Sequence, residues 1–314
     1  MANSNRKSER GIETKLLHAF MMMAADGWHI YYGRDGEVIP PGVTRVRIHE
    51  SVTVIPAEAF DGNRTIEEVE CHDRVKTVEE YAFANCRSLR RVIMRGVKVV
   101  EYEAFNDCEA LTIVECDKLE IIGDRTFGGC ALTSINLPSA KIVEECAFNY
   151  CKALTNVVFG KELESIGELA FLRCTSLERI AIPLKDGMIT RNDIFTGCKK
   201  LKHVDLVEGE LHETIAYLQL EEWRNDMNDK VDVINQSLPT TPAGDEYEDV
   251  GGKALVIQIW IRSVLHKIIC YKAQHRNILN EAAATLQHAL PNDIVIKSVL
   301  PFLELPSYTF EGED

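Results

Sequence analysis

Leu154-Thr155-Asn156-Val157-Val158-Phe159, followed by Ile166, by Ala170-Phe171 and by Cys174, is one copy of a unit that recurs between residues 43 and 207 of this 314-residue chain. Its phenylalanine has counterparts at Phe60, Phe83, Phe105, Phe127, Phe148 and Phe195, spaced 21 to 24 residues apart. Alanine precedes it in five copies, Thr126 and Ile194 in the other two. Three residues after each phenylalanine stands Asn63, Cys86, Cys108, Cys130, Cys151, Cys174 or Cys198. Next comes Ile66 or a leucine (Leu89, Leu111, Leu132, Leu154, Leu177, Leu201), the fourth copy being one residue shorter. A β-branched residue follows at Val69, Val92, Val114, Ile135, Val157, Ile180 and Val204, and two positions later Cys71, Met94, Cys116, Leu137, Phe159, Ile182 and Leu206. Upstream of each phenylalanine lies Ile55, Val78, Val100, Ile122, Val143, Ile166 or Ile189.

The last two apolar positions of the segment alternate with period two, as a strand with one buried face does. A coil of this size cannot bury its apolar side alone. It must stack on its neighbours, so equivalent strands are expected to hydrogen-bond into one parallel sheet. With strands ~4.8 Å apart, seven coils extend roughly 30 Å. The fold class is therefore α/β: a solenoid of seven coils and a parallel β-sheet, with an N-terminal cap and a C-terminal helical extension.

The unit Leu-x-x-Val/Ile-x-apolar, then Ile, then Ala-Phe-x-x-Cys resembles the BspA-like class of leucine-rich repeats. The lead Gly42-Val43-Thr44-Arg45-Val46-Arg47-Ile48-His49, with Ile55-Pro56-Ala57-Glu58-Ala59-Phe60 after it, is similar to an opening coil of such proteins. The resemblance implies a right-handed, curved leucine-rich-repeat solenoid that serves as a recognition surface and has no enzyme activity of its own.

Six periodic cysteines invite a metal or disulfide reading, and neither fits the spacing. Zinc sites need ligands that converge on one point, whereas these are a whole coil apart and point the same way. Parallel side-chain vectors on adjacent coils are poor bridging geometry. A ladder of buried thiols is expected, since free cysteine behaves as a small hydrophobe, with Asn63 heading it and satisfying a backbone group. Ten retained thiols favour a reducing, cytoplasmic compartment. No metal, cofactor or catalytic residue is expected; no phosphate-binding glycine loop or nucleophile motif occurs.

With the periodic strand residues inward, their neighbours form the candidate protein-binding face. From first coil to seventh these are Glu68 and Glu70, Arg91 and Ile93, Ile113 and Glu115, Ser134 and Asn136, Asn156 and Val158, Arg179 with Ala181, and His203 and Asp205. Charges at either end flank a polar, partly apolar middle. Solenoids present extended surfaces of this kind to protein partners.

A solenoid exposes an apolar cross-section at both ends, and each needs a cap. Residues 1–42 read as a helix over 9–25, then a hairpin in which Trp28-His29-Ile30-Tyr31-Tyr32 turns through Gly33-Arg34-Asp35-Gly36 into Glu37-Val38-Ile39. After the solenoid (43–207), Leu211, Ile215, Leu218, Met227, Val231 and Ile234 recur at helical spacing, giving a capping helix within 208–236. An acidic Pro/Gly linker fills 237–252. The segment 253–314 begins with a long helix carrying Ile257, Ile261, Val264, Ile268, Ile278, Ala282 and Leu286 on one stripe. That stripe packs against the capping helix or serves a homodimer through the C-terminal helices. Leu290-Pro291, Asp293-Ile294-Val295 and Val299-Leu300 resemble the opening of an F-box, although the sequence ends at Asp314.

Charge narrows the partners. Lys plus Arg number 35 against 49 Asp plus Glu, a net charge of −14. This argues against sequence-independent nucleic-acid binding and against an anionic membrane surface. Residues 208–314 hold eight basic and 18 acidic groups, so most of the excess lies beyond the repeats. The most apolar window, Ala254 to Tyr271, is interrupted by Gln258, Arg262, His266 and Lys267 and cannot span a bilayer. His18 breaks the apolar run Leu16 to Ala25 and Asp26 follows it, unlike a secretory leader. The leading expectation is a non-enzymatic, intracellular protein-interaction scaffold. A ubiquitin-ligase substrate receptor using the F-box-like segment, and a cell-surface adhesin, are the alternatives.

Overall fold

The computed structural model describes residues 27–34, 36–191, 193–207, 228–229 and 252–289. Two sets of short strands alternate along the chain. The longer set is β1 (His29–Tyr31), β2 (Arg45–Ile48), β4 (Glu68–Glu70), β6 (Arg91–Ile93), β8 (Ile113–Glu115), β10 (Ser134–Leu137), β12 (Asn156–Phe159), β14 (Arg179–Ile182) and β15 (His203–Leu206). Between them run the two-residue strands β3 (Val54–Ile55), β5 (Thr77–Val78), β7 (Val99–Val100), β9 (Ile121–Ile122), β11 (Ile142–Val143) and β13 (Ser165–Ile166). From β2 to β13 each coil contributes one strand of each kind, and strands pair in parallel with others of their own kind, as stacked repeats require. The result is a parallel-stranded leucine-rich-repeat solenoid of about seven turns, followed among the described residues by the long C-terminal helix α1 (Gly252–Ala289).

The two-residue strands form one sheet, β13-β11-β9-β7-β5-β3. The longer strands, expected in one sheet, form two: β1-β2-β4-β6-β8 and β10-β12-β14-β15. The ladder is interrupted between β8 and β10, where the fourth copy is one residue shorter between Cys130 and Leu132. A missing residue shifts the chain's path into the strand and costs it the register needed to pair with the coil before.

Three features hold the coils together. The inward residues of both sheets make one continuous core: Val69, Val92, Val157, Ile180, Val78, Val100 and Ile166 are all fully buried. The phenylalanines stack face on face through it, with ring centroids 4.7 to 5.7 Å apart from Phe60 to Phe195. Each such pair contributes about 0.5–1.5 kcal/mol beyond its buried area. The Phe loops are also tied by backbone: Phe60, Phe83, Phe105, Phe127 and Phe148 each donate their N–H to the carbonyl preceding the next coil's phenylalanine, at 2.7 to 2.9 Å.

The thiols form the expected ladder, with a specific bond. Cys86, Cys108, Cys130, Cys151, Cys174 and Cys198 each donate Sγ–H to the carbonyl of the phenylalanine one coil back, Phe60, Phe83, Phe105, Phe127, Phe148 and Phe171, at 3.0 to 3.2 Å. The thiol thus fills a corner and satisfies a buried carbonyl at once. Asn63 heads the row and its Oδ1 accepts from the N–H groups of Thr65 and Ile66. All ten cysteines are unbridged. Burial pushes the Cys86 and Cys151 thiols up to about 12 and Cys108, Cys130 and Cys174 well upward.

Tight loops demand special backbone. The residue two after the phenylalanine has positive φ; Asn85, Asp107 and Gly129 suit it, whereas Tyr150 and Arg173 (φ 56° each) hold the same turn at a steric cost. Gly160 is required for closeness: a Cβ there would lie 1.8 Å from the carbonyl oxygen of Pro138 in the preceding coil.

Both ends differ in detail from expectation. Among the described residues no hairpin forms at the N-terminal side. Instead β1 pairs in parallel with β2, His29 opposite Val46 and Tyr31 opposite Ile48, and so extends the sheet by another strand. The Arg34-to-Glu37 turn does close, with Glu37 N–H donating to Arg34 O at 2.9 Å, but the Glu37 carboxylate caps the N–H groups of Tyr32 and Arg34 in place of a returning strand. Tyr31 continues the aromatic stack onto Phe60 at 4.8 Å. Sheet edges of a repeat favour its own parallel pairing, which explains why the Asp-Gly signal did not prevail.

At the other end α1 has nearly the bounds expected of the long helix, but the first half of its stripe, expected against the 208–236 helix or a second copy, packs on the solenoid, because the last coil leaves apolar surface to cover. Ala254, Ile257, Trp260, Ile261 and Val264 are buried in the solenoid core. Lys253, itself buried, donates Nζ–H to Cys198 O, Gln258 donates to Ile189 O at 2.8 Å, and Arg262 pairs with Asp186 at 2.9 Å. The helices expected over 9–25 and 208–236, the linker and the F-box-like segment lie outside the described residues, apart from Asn228, Asp229 and the start of α1 at Gly252. Asn228 Oδ1 accepts from Val204 N–H at 3.0 Å.

Candidate functional site

The outward residues of the longer strands lie in two straight rows because the parallel ladders run in register. Arg45, Glu68, Arg91 and Ile113 are aligned, as are Arg47, Glu70, Ile93 and Glu115. Beyond the interruption come Ser134, Asn156, Arg179 and His203, beside Asn136, Val158, Ala181 and Asp205. The structure therefore places the candidate residues side by side on one surface, in two groups separated at β8/β10. Arg45 and Arg47 extend both rows and were missed. The signal was present: Arg45-Val46-Arg47-Ile48 alternates like the other strands but lacks a preceding phenylalanine, so it was counted as a lead rather than a coil.

The first group spends its charges internally. Arg47 pairs with Glu70 at 2.9 Å; Arg91 bridges Glu68 at 3.5 Å and Glu115 at 2.7 Å; Arg95 also binds Glu115. Hydrogen bonds from Arg91 and then Arg95 hold the Glu115 carboxyl below its ordinary range, and Glu115 in turn raises Arg91. Trp28 lies under the two arginines that head the rows, with guanidinium-to-ring distances of 5.4 Å for Arg45 and 4.7 Å for Arg47. These half-exposed pairs add little stability individually, but they brace the rows laterally and occupy the carboxylates of Glu68, Glu70 and Glu115. The carboxylates at this charged start are thus taken up by neighbouring arginines, in one pair and one cluster.

The middle is different. Ile113 is 49% exposed, Ile93 and Val158 are half-buried, and Ser134 and Asn136 are exposed and uncharged. Asn156 Oδ1 is buried without a hydrogen-bond partner among the described residues, as is Arg91 Nε. At the far end Arg179 pairs with Asp205 at 2.5 Å, while His203 stands exposed.

Among the described residues no group of three or more His, Cys, Asp or Glu side chains converges as a metal site, and no helix is long and apolar enough to cross a membrane. Cys71 and Cys116 are pushed up by burial to about 12, Cys146 to about 11. A thiol so raised is protonated at neutral pH and is a poor nucleophile.

No curated protein matches the sequence. Among solved structures, a leucine-rich repeat protein from Bacteroides ovatus is 26% identical with a TM-score of 0.46, over 53% of this chain and 43% of the other. A leucine-rich repeat protein from T. pallidum is 21% identical with a TM-score of 0.36, over 57% and 68%. A leucine-rich cell surface protein from Faecalibacterium prausnitzii is 18% identical with a TM-score of 0.27, over 58% and 83%. The match takes in less than half of the Bacteroides ovatus protein. Residues 42–141 and 120–218 match the BspA type leucine-rich repeat region in six copies, and with more than half of its length so covered this chain belongs to that family.

Proposed function

We propose that the protein is a non-enzymatic interaction scaffold that binds a protein partner through the exposed strand face, centred on β8 to β12. Ile113 carries the reading. It is the most exposed aliphatic side chain on this face and sits at the interruption between the two strand groups, next to the strand of uncharged Ser134, with the unpartnered Asn156 Oδ1 one strand further on. The neighbouring charges are occupied with one another, so desolvating this patch carries little electrostatic penalty. Apolar anchors ringed by neutral polar groups are where interface energy concentrates. The thiols of the solenoid that burial raises are poor nucleophiles, and the number of cysteines carried as buried thiols supports a reducing, intracellular setting.

The test is affinity capture with the full chain, then titration of the captured partner. Ile113→Lys should raise its Kd by about tenfold or more, the scale of a lost anchor, with thermal stability unchanged. Val38→Lys changes an exposed apolar residue away from the strand face (Val38 is 80% exposed) and should bind as the parent does. Equal binding by both variants, or equal loss in both, would refute the placement.

A further inference from the structure

Nine of the ten cysteines are buried; Cys270 is exposed. It stands one helical turn after His266 on α1, with Sγ 3.6 Å from His266 Nε2. A zinc ion bound tetrahedrally at ~2.3 Å from sulfur and ~2.0 Å from nitrogen sets an S···N edge of about 3.5 Å. The pair already holds the separation that zinc demands of two ligands. Both side chains are exposed, so an ion reaches them from solvent without opening the core.

Two ligands are half of a set. At about 100° per residue, Leu255, Ile259, His266, Ile269 and Cys270 fall on one side of α1. That side is opposite to the one by which Ala254, Ile257, Trp260, Ile261 and Val264 enter the solenoid core. Leu255, Ile259 and Ile269 are 44, 57 and 55% exposed. Among the described residues, α1 thus presents outward an aliphatic stripe with a chelating pair in it.

We propose that His266 and Cys270 form half of a zinc site that is completed by the same two residues of a second copy of the chain, packed along α1. A two-fold axis supplies the missing imidazole and thiolate and closes the assembly at two copies. The resulting His2Cys2 tetrahedron is a set that zinc takes. The flanking aliphatics lose their water in the same contact. Zinc binds the thiolate, so each chain gives up its Cys270 proton to solvent as the site forms. No other reactant is required. The site lies on the end cap, away from the strand face, and is independent of the function proposed for that face.

The experiment uses the full chain, reduced and then freed of metal, with its mass followed by light scattering as zinc chloride is added. The expected result is a monomer that becomes a dimer at one zinc per two chains and reverts with a chelator. Cobalt in place of zinc should give the visible bands of tetrahedral thiolate coordination, which in the folded chain report Cys270 because the other thiols are buried. His266→Ala and Cys270→Ser should each abolish metal-dependent dimerisation and the cobalt bands while leaving the far-ultraviolet spectrum unchanged, and Cys270→His should restore the dimer without the thiolate band. The proposal is overturned by a mass that zinc does not change, by zinc bound inside a monomer, by a dimer that persists in chelator, or by a C270S variant that dimerises like the parent.

Discussion

Replacing Phe127 with alanine strikes the solenoid where it is least tied together. The ring is fully buried and stacks at 5.5 Å on both Phe105 and Phe148. Large-to-small changes at such a site cost about 3–5 kcal/mol through lost burial and the cavity left behind. Loss of the two ring contacts places the effect in the upper part of that range, at about 4–5 kcal/mol. Phe127 belongs to the β8/β9 coil, just before the β8/β10 interruption, so its stack on Phe148 of the β10/β11 coil crosses the junction where long-strand pairing is missing. Stability in a repeat protein is a sum of coil and interface terms, and weakening the poorest interface should uncouple the two sides. Urea unfolding followed by circular dichroism should show the loss in midpoint. Native-state hydrogen exchange should show the amides of β2, β4 and β6 opening separately from those of β12, β14 and β15. A destabilisation below about 1 kcal/mol, or exchange that stays uniform across both groups, would refute the argument that the Phe stack holds the halves together.

Gly160→Ala forces a Cβ onto Pro138 O, where only 1.8 Å is available, and the backbone of two coils must separate; a loss of about 1–3 kcal/mol is expected, as for overpacked cores, and an unchanged melting temperature would contradict it. The buried thiols make the fold sensitive to alkali. Cys71, Cys86, Cys116 and Cys151 ionise at about 12 when folded against an ordinary 9.0, because burial disfavours the thiolate. Their contribution is whole below pH 9.0 and is lost as pH rises towards 12, since there the unfolded chain has released protons that the folded chain keeps. Each thiol should cost about 1 kcal/mol per pH unit in that window, a fall that denaturant midpoints will show and that Cys151→Ser should lessen; a flat profile would count against it. The same thiols test the compartment: titration under denaturing, non-reducing conditions should find all ten free, and several bridges would sink the intracellular reading.

Within the seven copies the two rows of outward residues could be read from the chain, because a period of two leaves no freedom about which side chain enters the core; only Arg45 and Arg47, on a strand without a preceding phenylalanine, escaped. Glu68, Arg91 and Asn156 stand in the register that the repeat dictates. Their meaning as a surface could not be read. Whether Glu115 greets a partner or is held by Arg91 and Arg95 depends on which coils lie side by side and on rotamers that no spacing encodes. His266 and Cys270 were likewise passed over: they are four residues apart, but their exposure follows from which side of α1 caps the solenoid.

Repetition itself specified the architecture. Seven copies of one apolar pattern allow a single economical burial, coil upon coil, and the phenylalanine and cysteine ladders follow from it. The exceptions to the repeat were settled in three dimensions. One residue fewer in the fourth copy splits the long-strand sheet, and β1 extends its edge in parallel because the solenoid offers open hydrogen-bonding groups there. The first half of α1 turns inward because the last coil leaves apolar surface that must be covered. Each of these is decided by contacts between segments distant in sequence, and a local pattern carries no record of them.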